Sequence, residues 1–362
     1  MHILGSREFG GADQFFVRLV RALQEQGDTV LAVTRPRSPV GKALDEAGPP
    51  QMRVGMVNGF DLWSVWRIRR LIRKHRPLVV QTYMGRATRL TRVPREMSTV
   101  HVARLGGYYR INGYYRHADA WVANTEGIRR YLVESGLPSD RVFGIGNFVP
   151  PPCLLTGEAR ARLRSEHGVP ADARVLLAVG RCIETKGFRE LLEALSELPK
   201  QVDGRRWFAW IAGDGPMRGA LELATRDLEL EDRVRWLGWQ ADPGPLFAAA
   251  DLFVCPSQHE PLGNVILEAW NHGLPVVSTP TDGARELMTQ EVNGRLAGGL
   301  DAPALKRALE ETMEATDDQR WAWGEAGRAT VLRHHSRAAV VGAYRELYAL
   351  LAGQSGMLAT PG

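Results

Sequence analysis

Apolar residues arrive along this chain in two alternating rhythms. Short runs such as "MHIL" (1–4), "TVLAVT" (29–34), "LVVQTY" (78–83), "TVHVARL" (99–105) and "AWVANT" (120–125) are nearly continuous. Between them lie longer stretches in which apolar positions recur every three or four residues. In Ala12–Gln26 these are Phe15, Phe16, Leu19, Val20 and Leu23, one stripe of a helix closed by Gly27. "DLWSVWRIRRLIRKHR" (61–76) opens on Asp61, a suitable N-cap, and stops before Pro77. Apolar runs alternating with amphipathic helices predict an α/β chain with a parallel sheet covered on both faces.

The Pro-rich "GNFVPPPCLLTGE" (146–158) breaks the rhythm and reads as an interdomain linker. The pattern then restarts, with strands "RVLLAVG", "RWFAWIAG", "VRWLG", "DLFVCPS" and "PVVST" separated by helices "FRELLEALSEL", "MRGALELATRDL", "PGPLFAAA" and "NVILEAWNH". Ala302–Thr316 and His335–Leu351 continue it as helices, the latter with Val340, Val341, Tyr344, Leu347, Tyr348 and Leu351 on one stripe. A chain of 362 residues exceeds one ordinary core. The expected organisation is a first domain over 1–150, a second over 151–334, a closing helix over 335–352 and a disordered tail over 353–362.

Composition narrows the class. Hydrophobic content of 44% and charged content of 24% fit a globular chain. Cys153, Cys182 and Cys255 are widely spaced and form no C-x-x-C, so neither a disulfide framework nor a zinc site is expected. No basic segment followed by an apolar one opens the chain, and no apolar run approaches the ~20 residues that span a bilayer. The expected location is the cytoplasm, free or peripheral on the cytoplasmic face of the inner membrane. Charge is uneven: residues 1–150 hold 23 Lys+Arg against 12 Asp+Glu, and the remainder 23 against 29. A basic first half suits an anionic partner.

In doubly wound sheets ligands sit outside the carboxyl ends of the strands, so the loops there carry the chemistry. After "RVLLAVG" comes "GRCIETKGFRE", where Arg181 and Lys186 precede a helix start and make a phosphate site. The order of residues is not that of a Walker A loop. After "DLFVCPS" comes "QHEPLG", and a helix starts near Gly263 or Asn264. Its first N–H groups favour negative charge. Glu260 stands beside this second cradle and can accept hydrogen bonds from sugar hydroxyls. Glu268 lies on the helix between apolar neighbours and can accept both hydroxyls of a ribose.

Glu260 and Glu268 match the Glu-x7-Glu motif, and the chain resembles the retaining glycosyltransferases of family 4, the group 1 glycosyltransferases. "FGGADQF" (9–15), "GRCIETKG" (180–187), "AGDGP" (212–216), the block 250–288 around Glu260, and "HHSRAAVVGAYRELYALL" (334–351) resemble the family's motifs in order. Asp13 stands where a glutamate is common. The resemblance implies the GT-B fold, two Rossmann-like doubly wound parallel-sheet domains facing a cleft, with the closing helix crossing back to the first. It implies that Arg181 and Lys186 grip a donor diphosphate and, with the helix N-terminus, stabilise the leaving group, Glu260 being the third catalytic residue. Glu268 then holds the ribose, and Glu260 the donor sugar, beside Leu262, Gly263, Asn264 and Val265. Gly10 and Gly11 let a loop of the first domain approach the diphosphate. No D-x-D occupies a strand-end loop, so no divalent metal is expected. A UDP-sugar is the default donor, with GDP-mannose and ADP-heptose open.

Many family members place a histidine after a strand of the first domain, near the donor sugar. The nearest candidate is His101. If the strand runs Thr99–Arg104, His101 falls inside it, and Arg104, Gly106 or Gly107 lines the acceptor site instead. His334 and His335 are adjacent and point apart, so they are no metal pair. Arg67, Arg69, Arg70, Arg73, Lys74 and Arg76 accompany Trp63 and Trp66, and Arg86, Arg89, Arg92 and Arg95 follow. These suit an anionic membrane surface or a phosphorylated acceptor, against the plainer reading of a sheet-packing helix with a solvated outer face. The reading is a hexosyltransferase-type enzyme acting on a lipid-linked or lipopolysaccharide saccharide. A GT-B nucleotide-sugar epimerase is the alternative, along with a non-catalytic sugar-binding scaffold. A NAD enzyme lacks its G-x-G-x-x-G, and a nucleic-acid binder leaves Glu260, Glu268, Arg181 and Lys186 unexplained.

Overall fold

The computed structural model describes residues 1–45 and 48–358, with side chains through residue 353. The chain divides into two compact units, Met1–Phe148 with Ser336–Gly362, and Val149–His335.

Unit 1 contains strands β1 (His2–Leu4), β2 (Ala32–Thr34), β3 (Gln51–Arg53), β4 (Val79–Tyr83), β5 (Val100–Leu105), β6 (Ala120–Ala123) and β7 (Val142–Gly144). All pair in parallel, in the order β3-β2-β1-β4-β5-β6-β7. The order reverses between β1 and β4, the crevice where such sheets bind ligands. Its helices are α1 (Gly11–Glu25), α2 (Pro39–Asp45), α3 (Leu62–His75), α4 (Met84–Leu90) and α5 (Glu126–Glu134). Asp61 caps α3 as expected, accepting from the Ser64 amide. The stripe Phe15, Phe16, Leu19, Val20 and Leu23 of α1 is buried against the sheet, so the 3.6-residue period and the packing agree.

Unit 2 contains α6 (Gly157–Glu166), β8 (Arg174–Val179), α7 (Phe188–Ser196), β9 (Gln201–Val202), β10 (Arg205–Ala212), α8 (Arg218–Asp227), β11 (Val234–Gly238), α9 (Gly244–Ala249) and β12 (Leu252–Cys255). It continues with α10 (Asn264–Asn271), β13 (Val276–Ser278), α11 (Asp282–Leu287), β14 (Arg295–Leu296), α12 (Ala302–Glu314) and α13 (Asp317–His334). The sheet order is β11-β10-β8-β12-β13-β14, parallel, with the short β9 antiparallel to β10. It reverses between β8 and β12, as unit 1 does between β1 and β4. Trp207, Trp210 and Trp270 fill the layers on its two faces. Gly327 of α13 lies against Trp270; a Cβ there would sit 2.2 Å from the ring, so this helix packs closely only because the residue is glycine.

The last helix, α14 (Arg337–Leu358), belongs to unit 1. Its stripe Val340, Val341, Tyr344, Leu347 and Leu351 joins the core formed by α1. It runs past the limit expected at residue 352, so 353–358 are helical and not a disordered tail; 359–362 lie outside the described residues. The sequence pattern did not predict α13, whose apolar residues form no single stripe, nor the three-residue strand β3. The architecture is that of the GT-B fold, two Rossmann-like parallel-sheet domains.

Candidate functional site

In unit 2 the loops after β8 and β12 meet at the strand-order reversal. The first runs from Gly180 through a single 3-10 turn, Glu184–Lys186, to Gly187. The second runs from Pro256 to Gly263, which opens α10. The two are joined through their backbones: the amides of Gln258 and His259 donate to the Thr185 carbonyl at 2.9 and 3.3 Å. Gly187 has φ +64°, and a Cβ on it would lie 1.8 Å from the Pro256 carbonyl oxygen. Both the left-handed conformation and the close approach therefore require glycine at this position.

This junction pairs the Lys186 ammonium with the Glu260 carboxylate. Both side chains are largely buried, at 24% and 15% exposure. Burial alone would lower the Lys186 ammonium; the Glu260 carboxylate outweighs it and holds the group above its ordinary value. An ammonium has three donors and a carboxylate two oxygens. Lys186 can thus hold Glu260 and a phosphate oxygen together, while Glu260 keeps an oxygen for a hydroxyl.

Gly263 has φ +82° and no side chain to cap α10. Its neighbours Leu262, Asn264 and Val265 sit at the same turn, and Glu268, half-buried, follows on α10. Arg181 is exposed at the start of the first loop. Sequence reasoning missed what fixes Glu260 from behind. Its carbonyl accepts from the Gly283 amide at 2.9 Å, and a Cβ on Gly283 would sit 2.5 Å from the Leu262 carbonyl carbon. The glycine in "TDGARE" was the available signal.

Gly10 and Gly11 belong to unit 1, at the start of α1. They line a cavity of about 600 Å³ between the loop after β1 and the segment Tyr83–Ala87 after β4. The Gly10 amide donates to Asp13 at 2.8 Å. Burial pushes the Asp13 carboxyl up, against that hydrogen bond, and its second oxygen is buried without a partner.

The candidates around β5 are corrected by their burial. His101 is 1% exposed in the interior of β5, its Nε2 3.0 Å from the Thr82 hydroxyl and its ring 5.3 Å from that of His117. Burial, then His117 and Arg92, lowers it to about 3, so it is a neutral core histidine and not a site residue. Arg104 is 3% exposed and ties elements together: it donates to the Tyr344 hydroxyl of α14 at 2.9 Å and to Asn147, over the Phe15 ring at 4.2 Å. Strand β5 extends through Leu105, so Arg104 points into the core. Gly106 and Gly107 do follow the strand end, beside Asn124 and Tyr109.

Residues 159–330 match the family described as glycosyl transferases group 1, and residues 9–151 match Glycosyltransferase Family 4. The chain is 36% identical to the lipopolysaccharide core biosynthesis glycosyltransferase LpsE of Rhizobium meliloti (strain 1021), covering 94% of this chain and 96% of that one. Similarity to LpsD of the same organism is 33% over 96% and 97%. Among solved structures, Anabaena Alr3699/HepE, in complex with UDP-glucose, superposes with a TM-score of 0.82 at 21% identity, over 97% of this chain and all of that one.

Proposed function

The chain belongs to glycosyltransferase family 4, and from that membership we propose that it moves a sugar from a nucleoside diphosphate to a lipopolysaccharide-core or related lipid-linked saccharide, with retention at the anomeric carbon. The observation that carries the reading is the Lys186–Glu260 pair at the strand-order reversal of unit 2. As the diphosphate leaves, negative charge grows on its oxygens. Lys186, Arg181 and the start of α10 are the cationic groups and dipole for that charge, held in place before the reaction begins. Glu260 orients the donor sugar through its hydroxyls, and Glu268 the ribose. The leaving phosphate takes the acceptor's proton as the new bond forms on the same face. No divalent metal enters this scheme. The names of LpsE and LpsD support the acceptor class. HepE, whose structure holds UDP-glucose, makes a UDP-sugar the first donor to try.

Such an acceptor sits in a membrane, and α3 offers a surface for one. Phe60, Leu62, Trp63 and Trp66 are 73%, 80%, 64% and 47% exposed, and the two indoles stack at 4.7 Å. Arg67, Arg70 and Lys74 are exposed on the same helix. Aromatic side chains within a basic rim suit peripheral contact with anionic lipid. No helix among the described residues is long and apolar enough to cross a membrane. Co-sedimentation with phosphatidylglycerol-containing vesicles should fall severalfold for a Trp63→Ala/Trp66→Ala variant. Equal binding of variant and wild type removes α3 from the membrane reading.

The donor site is tested by a thermal-shift panel of UDP, GDP, ADP, CMP and NAD on wild type and Lys186→Ala. A ligand bound only by the folded chain raises its melting temperature by mass action. One nucleoside diphosphate stabilising wild type and not the variant supports the reading. Stabilisation by NAD alone, or by none, overturns it.

A further inference from the structure

Four neighbouring strands of unit 1, β3-β2-β1-β4, run parallel, so their carboxyl ends share one edge. Each is followed there by a residue that contributes to one cluster. Arg35 comes directly after β2, Arg7 three residues past β1, and Arg86 in the first turn of α4 after β4. Past β3, Met56 in a left-handed conformation and Val57 present their carbonyls. Arg35 donates to the Met56 carbonyl at 2.5 Å and Arg7 to that of Val57 at 3.1 Å. Arg86 donates to the Gly5 carbonyl at 3.1 Å, and a Cβ on Gly5 would meet Met56 and Arg86 at 3.3 and 3.5 Å.

The three guanidiniums are anchored by backbone carbonyls, which do not cancel their charge. None of them forms an ion pair among the described residues. Burial, then the like charges of Arg7 and Arg86, holds the Arg35 guanidinium below its ordinary value, and Asp61 offsets this only in part. Asp61 is already engaged, accepting from Val57, from the Ser64 amide and from the Ser64 hydroxyl. Arg7 and Arg86 line the 600 Å³ cavity at the β1/β4 reversal; the carboxylates on that cavity are Glu8, exposed, and Asp13, bound to Gly10. Like charges held together on the ligand-binding edge of a sheet repel each other until an anion joins them. The planar guanidinium fork matches a phosphate or carboxylate by paired hydrogen bonds.

We propose that Arg7, Arg35 and Arg86 form an anion subsite in unit 1 that takes a phosphate or carboxylate substituent of the saccharide acceptor. The acceptor part rests on the transferase reading above; the anion subsite itself does not. Its edge is that of unit 1, separate in the chain from Arg181 and Lys186.

The test uses the full chain saturated with UDP, titrated calorimetrically with glucose 6-phosphate, galacturonate and glucose. The expected result is binding of at least one of the two anions and not of glucose. Which anion binds separates a phosphate from a carboxylate source. Affinity should fall at least tenfold in Arg35→Gln and in Arg86→Gln. It should be partly retained in Arg35→Lys, which keeps the charge and loses the fork. No anion binding by wild type, or equal binding in the glutamine variants, overturns the subsite. Transfer assays with a lipid-free core saccharide, before and after phosphatase treatment or carboxyl reduction, then test the acceptor. The glutamine variants should raise KM for the charged saccharide and not for the neutralised one. Anion binding that depends on Arg35 and Arg86, with no transfer to any saccharide, leaves the subsite standing and brings down the transferase reading.

Discussion

The two units share the order of six parallel strands and reverse it at the same place, yet fill that crevice with opposite electrostatics. In unit 2 the β8/β12 crevice holds a cation and a carboxylate that neutralise each other, Lys186 with Glu260. In unit 1 the edge beside β1/β4 gathers Arg7, Arg35 and Arg86 on backbone carbonyls, with no ion pair for any of them among the described residues. A paired site is ready for a ligand with both phosphate and hydroxyls, because each partner has hydrogen-bonding capacity to spare. An unpaired cationic site is ready for an anion alone. One topology has thus been given two recognition chemistries by the few residues that follow its strands.

The largest expected effect falls on the paired crevice. Lys186→Ala should lower kcat/KM for the donor by roughly 100- to 1,000-fold, the usual loss when one donor to a developing oxyanion is removed. Steady-state kinetics with the donor that the thermal-shift panel selects checks it, and a change below threefold would mean that leaving-group charge develops elsewhere.

The next effect separates structure from chemistry in unit 1. Arg104→Met removes a buried cation and its hydrogen bonds to the Tyr344 hydroxyl and the Asn147 side-chain oxygen. The cost should be about 1–3 kcal/mol of unit 1 stability. Urea unfolding followed by tryptophan fluorescence measures this, and an unchanged midpoint would mean that these hydrogen bonds do not stabilise unit 1.

A smaller effect distinguishes the units by acid. Folded His101 titrates near 3 and an unfolded histidine near 6.5. Between these values the unfolded chain binds a proton that the folded chain refuses. Stability from this group is therefore intact above pH 6.5 and is lost as pH falls toward 3, by at most about 1.4 kcal/mol per pH unit. His101→Gln should flatten that acid slope in urea midpoints taken at pH 6.5 and 4.5. Identical slopes in variant and wild type would contradict the buried, neutral imidazole. The smallest expected effect is that of EDTA, which should leave the transfer rate unchanged; complete loss of transfer would bring a metal into the site.

The paired crevice was legible in the sequence because its parts are local. Lys186 follows a strand within one short loop, and Glu260 and Glu268 bracket one helix start, so the strand-end loops and the family resemblance singled them out, though not the pairing of Lys186 with Glu260. The cationic edge was not legible in the same way. Arg7, Arg35 and Arg86 are scattered over 80 positions, and only the sheet order brings them together. His101 and Arg104 show the opposite failure: both lie in the apolar run 99–105, and a shift of one residue in the strand end decides whether Arg104 faces a loop or the core. On α3 the basic residues and tryptophans were visible, but periodicity alone suggested a solvated face. Only Ser64, Ile68 and Ile72 of that helix are buried, which leaves the indoles outside.

The closing helix α14 has a consequence for how the protein is made. Unit 2 is encoded by one uninterrupted stretch, whereas unit 1 needs residues from both ends of the chain. During synthesis, the first 148 residues leave the ribosome without Tyr344, Leu347 and Leu351, and Arg104 has no Tyr344 hydroxyl to bind. The second unit can complete its core while the first still waits for its last helix. Unit 1 can therefore be completed only after the whole of unit 2 has been translated. A nascent chain stalled before Arg337 exposes the apolar face around Phe15 and Phe148, and it is this intermediate that a chaperone would have to shield.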